Sequence, residues 1–243
     1  MAKTILITGG SRGIGRATAI LAGQRGWRVA VNYLANAAAA SDTVTAVQAA
    51  GGEAVAIPGD VAREDDVVAM FDAAEHAFGP LDGAVVNAGM VGPPTSVAEM
   101  PTDRMRHIIE VNLIGAILCA REAARRLRPG GAIVNVSSMA SRLGSPNEYV
   151  DYAAAKGGVD SLTIGLAKEL GPSNIRVNAV RPGLIETEIH SAGGQPDRLE
   201  RLAPGAPMRR AGTAEEVAEA IVWLLSDAST YTTGSFIDVA GGR

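Results

Sequence analysis

The chain has 243 residues, enough to bury a sizeable core, and its 47% apolar and 20% charged residues are ordinary for a globular protein. A net charge of −4 with 4% aromatic residues excludes a basic, base-stacking nucleic-acid binder. The single cysteine, Cys119, excludes an intrachain disulfide and a cysteine metal cluster. His76, His107 and His190 lack ligand spacing and read as surface or helix residues, so no metal site is assigned. The chain opens directly into strand-like sequence, with no apolar leader and no membrane-spanning run. The expectation is a cytoplasmic protein that touches no membrane.

In chain order, residues 3–8 are apolar and β-branched, a buried strand. Residues 14–25 place Ile14, Ala17, Ile20 and Leu21 on one helical face. A strand over 27–32 precedes an Ala-rich helix over 36–50, which ends at Gly51 and Gly52. Strand 53–58, helix 63–78 and strand 81–87 follow, then one long helix over 102–127. Strand 131–138, helix 152–171 and strand 175–183 come next. Thr213 and Glu216 form the pattern of a capping box and open a helix over 213–226, and 235–240 is the last strand. Repeated βα units with near-continuous apolar strands predict a parallel sheet covered by helices on both faces, a doubly wound α/β fold. With no linker or repeat, residues 1–243 read as one domain. The polar stretch 186–212 breaks the regularity, and a substrate lid is expected over about 188–210.

The first strand runs into "TGGSRGIG". Gly9 suits the tight turn, Gly13 lets backbone approach a ligand, and Gly15 lets helix and strand pack closely. The helix start then offers unpaired N–H groups and a positive dipole end to a pyrophosphate, with Ser11, Arg12 and Ile14 beside it. The phosphate loop ending in Gly-Lys is excluded, because Ile14 follows Gly13. An NAD site usually carries an acid at the end of the second strand, whereas here that end holds Asn32 and Tyr33. Nothing there repels a ribose 2′-phosphate, and Arg12 can pair with one. The cofactor expected is NADP(H).

Farther on, Tyr152 and Lys156 share a helix face one turn apart, and Ser137 and Ser138 close the preceding strand at its carboxyl end. A phenol of ordinary pKa about 10 is a poor acid-base group at neutral pH. A neighbouring ammonium and a cationic nicotinamide would lower it. By itself such a pair is common on helices and reads as a plain surface pair. The glycine loop, "NAG" at 87–89, Val111-Asn112, "VSS" before Y-x-x-x-K, and "RPG" at 181–183 occur in one order.

This joint pattern, over nearly the whole chain, resembles the short-chain dehydrogenase/reductase family. The resemblance implies a Rossmann fold of about seven parallel strands, nicotinamide-dependent hydride transfer on a small carbonyl or secondary alcohol, and a homotetramer. Two long helices that are apolar on more than one side agree with assembly. It carries the catalytic tetrad to Asn112, Ser138, Tyr152 and Lys156, with Ser138 preferred over Ser137 by the family's spacing. It assigns Asp60 and Val61 to the adenine and Asn87, with Ala88 and Gly89, to the adenosine ribose region. Pro182, Gly183, Ile185 and Thr187 resemble the loop that seats the carboxamide, while Tyr152 and Lys156 also meet cofactor. Val86 and Ala240 depart from the usual residues. The chain is also similar to β-ketoacyl carrier-protein reductases and sugar dehydrogenases. Arg125, Arg126 and Arg128 could meet an acidic carrier protein, or simply favour a helix C-terminus. A catalytically silent NADP(H) sensor is the alternative of another class.

Overall fold

The computed structural model describes residues 2–243 and contains seven strands. They are β1 (Thr4–Ile7), β2 (Arg28–Tyr33), β3 (Glu53–Pro58), β4 (Gly83–Val86), β5 (Ala132–Val136), β6 (Arg176–Pro182) and β7 (Phe236–Val239). All pair in parallel, in the order β3-β2-β1-β4-β5-β6-β7. The helices are α1 (Gly13–Gln24), α2 (Ala37–Ala49), α3 (Glu64–Phe78), α4 (Thr102–Ile109), α5 (Gly115–Arg126), α6 (Ala140–Leu143), α7 (Val150–Leu170), α8 (Ile189–Ala192), α9 (Arg198–Leu202) and α10 (Ala214–Leu225).

The continuous apolar runs in the strands have a direct cause. Successive side chains point to opposite faces, and both faces are covered. Ile5, Ile7, Val29, Val31, Val85, Val134 and Val136 enter one core with α1 and α10. Leu6, Ala30, Ala84, Val86 and Ile133 enter the other, against α3, α5 and α7. The doubly wound fold read from the sequence is therefore present, and each expected strand forms within a few residues of its expected place.

The helix expected over 102–127 is corrected. Its axis is interrupted by a π-helical segment, Glu110–Ile114, between α4 and α5. Such a segment inserts one residue into the turn and re-aims the side chains beside it, and Asn112 lies within it. The helix expected over 213–226 starts as predicted. Thr213 Oγ1 accepts from Glu216 N at 3.2 Å and Thr213 N donates to Glu216 Oε2 at 2.8 Å. Three short helices were not expected: α6 follows Ser138, and α8 and α9 lie within the stretch 188–210. Among the described residues no helix is long and apolar enough to cross a membrane.

Candidate active site

The loops after β1, β4, β5 and β6 open along the carboxyl edge of the sheet, around a cleft of about 900 Å³. In the first loop Gly9 and Gly13 take φ of 62° and 50°, the left-handed region that side chains disfavour. Gly15 serves packing: a Cβ there would lie 2.4 Å from Gly9 O. Ser11, Arg12, Gly13 and Ile14 line the cleft, while Gly15 sits behind them. Two neighbours hold the loop in shape. Asn87 Nδ2 donates to Thr8 O at 2.8 Å and to Gly9 O at 3.0 Å. Asn32 Oδ1 accepts from Gly9 N at 3.1 Å, and its Nδ2 donates to Gly59 O at 3.0 Å. Asn32 lines the cleft while its side chain also bonds this backbone. Tyr33, half-buried beside it, and Arg12, exposed, face the same end of the cleft. Among the described residues no carboxylate lies within ion-pair distance of Arg12, and the first turn of α1 carries no acid. Asp60, Val61, Ala88, Gly89, Pro182, Gly183, Ile185 and Thr187 also line the cleft.

The two serines part company. Ser137 is buried and its Oγ donates to Asp160 Oδ1 at 2.6 Å, so it is bound into α7. Ser138 lines the cleft together with Tyr152, and its Oγ accepts from Ala140 N at 3.1 Å. Lys156 is buried, with Nζ 2.8 Å from Val136 O and 5.6 Å from the centre of the Tyr152 ring. Burial pushes the Lys156 pKa down to about 8, against an opposing pull from Asp160. Desolvation raises the Tyr152 pKa, and the Ser138 hydroxyl only partly lowers it. The expected lowering of Tyr152 by Lys156 is therefore not seen in the protein alone, where burial of the phenol itself dominates.

Asn112 lies close to Lys156 across Gly89, where a Cβ would be 2.7 Å from Asn112 Oδ1 and 3.5 Å from Lys156 Nζ. It is fully buried and does not line the cleft. Its Nδ2 donates to Met90 O at 3.0 Å and Ile108 O at 2.9 Å, and its Oδ1 accepts from Met90 N at 3.0 Å. It fixes the loop that separates it from Lys156.

Residues 9–243 match the family described as enoyl-(acyl carrier protein) reductase. The chain is 52% identical over 243 residues to the uncharacterized oxidoreductase YgfF of Escherichia coli (strain K12), with 98% of each chain covered. It is 40% identical over 242 residues to cis-4-hydroxycyclohexanecarboxylate dehydrogenase of Sinomonas cyclohexanicum, covering 99% of this chain and 96% of the relative. A short-chain type dehydrogenase/reductase from Mycobacterium marinum superposes with a TM-score of 0.92 at 35% identity, covering 99% of this chain and 94% of that one. The chain belongs to the short-chain dehydrogenase/reductase family.

In this short-chain dehydrogenase/reductase several cleft residues escaped the sequence reading. His107, exposed on α4, and His190, on α8, are helix residues as expected, and both also line the cleft. His190 Nε2 lies 3.0 Å from Ile185 O, and burial lowers its pKa. The segment carrying α8 and α9 is tied to the wall before α7 by an ion pair of Arg198 with Glu148 and a hydrogen bond of Gln195 to Tyr149. These partners lie 46 and 50 residues apart, so no local spacing marks them. The arginines at the end of α5 are also accounted for. Arg126 pairs with Asp72, Glu75 and Glu122, Arg125 with Glu122, and Arg128 with Asp82.

The buried lysine gives a prediction. An Nζ-resolved NMR titration of the protein without ligand should place the Lys156 midpoint near 8, below its ordinary 10.5. Because the folded state releases this proton first, the residue's contribution to stability should rise as pH climbs between those two values. A midpoint near 10.5 would mean that Nζ is solvated.

Proposed function

We propose that this chain is an NADP(H)-dependent oxidoreductase acting on the carbonyl or secondary alcohol of a small molecule. One observation carries the reading. Ser138, Tyr152 and Lys156, the last one turn along α7 with Nζ 5.6 Å from the Tyr152 ring centre, line the same cleft as the glycine loop. The cleft suits a dinucleotide: left-handed glycines and a free helix start at one end, and a buried cation at the other.

Bound nicotinamide supplies the hydride in reduction and accepts it in oxidation. Ser138 and Tyr152 hold the substrate oxygen, and Tyr152 donates its proton there, or removes it in the reverse direction. Lys156 has one N–H on Val136 O, leaving two donors for a ribose. In the ligand-free protein burial raises the Tyr152 pKa, so the reaction draws on positive charge arriving at the site together with Lys156. Asn112 has both amide hydrogens committed, so a water relay through this side chain has only one oxygen lone pair to use.

Arg12 at the cleft rim, and the lack of an acid at the end of β2, support NADP(H) over NAD(H). A relative named for oxidising a ring alcohol makes cyclic alcohols and ketones the first substrates to test. A carrier-protein substrate is less well supported, since Arg125, Arg126 and Arg128 already face carboxylates. Ile114, Ile117 and Ile164 stand 36%, 38% and 43% exposed on the helical layer of α5 and α7 and support a homotetramer. We place the enzyme in the cytoplasm.

Two variants test this reading. Tyr152→Phe keeps the ring and removes the proton donor, so kcat should fall roughly 10²–10⁴-fold with NADPH affinity little changed. A rate near that of the parent would overturn the assignment and favour a silent cofactor sensor. Arg12→Ala should weaken NADPH about tenfold, the loss of one charge-assisted contact, while NADH changes less than twofold. Equal losses for both cofactors would contradict the 2′-phosphate reading.

A further inference from the structure

Arg104 of α4 lies outside every motif named above, yet its side chain is only 12% exposed and that of Asp151 only 4%. The pair is bidentate: Nε meets Asp151 Oδ2 at 2.9 Å, and Nη2 meets Oδ1 at 3.3 Å. The same guanidinium donates from Nη2 to Glu148 O at 3.2 Å and from Nη1 to Pro93 O. A Cβ on Gly92 would lie 2.9 Å from its Nε, so the loop after β4 closes tightly on it. One planar fork therefore joins the first turn of α7, the loop before it, and the loop after β4, a task for which a single ammonium is poorly shaped.

The carboxylate it holds touches the site directly. Asp151 Oδ1 accepts from Tyr152 N at 2.9 Å. That N–H belongs to the first turn of α7, where donors lack intrahelical partners, and Tyr149 supplies no side-chain cap. The preceding loop also needs holding. Ser145 and Asn147 take φ of 44° and 59°, positions that persist only where surroundings enforce them. We propose that Arg104 is a positioning residue for the reaction, acting through Asp151 to set Tyr152 against Ser138 and to fix the wall formed by residues 144–149. The proposal rests on the reading of Tyr152 as the proton donor.

Arg104→Ala alone strands a buried carboxylate and endangers the fold. The informative variants are Arg104→Lys and the double variant Arg104→Met with Asp151→Asn, which removes both charges and keeps an acceptor for Tyr152 N. Each should lower kcat roughly 10–100-fold, as expected for a reacting group misplaced by about 1 Å. The Kd for NADPH should stay within twofold and the melting temperature close to the parent's. Parent-like kcat in the double variant would overturn the proposal. So would a loss of kcat that tracks equal losses in cofactor binding and melting temperature, which marks a role in folding only. Tyr152→Phe is measured alongside. If it retains turnover, the Tyr152 reading fails. If it is inactive while the double variant turns over normally, only the Arg104 proposal fails.

Discussion

The parallel register of the sheet is the constraint from which the site follows. Ile7 pairs with Val31 on one side and Val85 on the other, and Val136 with Val180. The ladder runs past the strand ends: Thr8 N donates to Val85 O at 3.0 Å, and Ser137 N to Val180 O at 2.9 Å. Four loops consequently leave the sheet at one level. Their backbones are fixed before any ligand arrives, so the glycine loop, Ser138 and the wall of Pro182 and Gly183 face one cleft without further ordering. Covering helices on both faces bury the base of that edge, Lys156 included.

Burial sets the electrostatics of the cleft. It disfavours the charged form of Lys156 and equally the charged form of Tyr152, so both are held toward neutrality in the protein alone. Asp160 works against this at Lys156, and is itself held by Ser137 at 2.6 Å and Arg181 at 3.0 Å. Arg181 in turn stacks 3.8 Å from the centre of the Phe236 ring. The "RPG" segment thus has a structural task in its Arg and lines the cleft with its Pro and Gly. The network sets a carboxylate against the buried Lys156 that opposes the effect of burial on its charge.

Features set by short spacing were legible in the sequence. The glycine loop, the Tyr152–Lys156 spacing and the capping box of Thr213 and Glu216 each depend on residues within a few positions of one another. The strands were legible because two covered faces leave no polar alternation. What was missed depends on distant partners. The hold that Asn32 has on Gly9 and Gly59 reaches across 23 and 27 residues, and no local spacing marks it. The π segment is silent in sequence because "EVNLI" is as helical in composition as its surroundings. The two serines could not be ranked by residue type. Strand parity separates them: Ser137 continues the face of Ile133 and Asn135 toward α7, and Ser138 leaves the strand into the cleft. The short helices α8 and α9 have too few turns to print a period, and their place is set by Glu148 and Tyr149.

The central claim is that this cleft moves a hydride between nicotinamide and a substrate carbon. The most direct measurement supplies NADPH labelled with deuterium at C4, on each face in turn, together with cyclic ketones, and locates the label by mass spectrometry and NMR. The account predicts one deuterium at the new carbinol carbon, delivered from one face of the cofactor only. Reduced product without label at that carbon from both labelled cofactors, or tightly bound NADPH that no ketone oxidises, would contradict it.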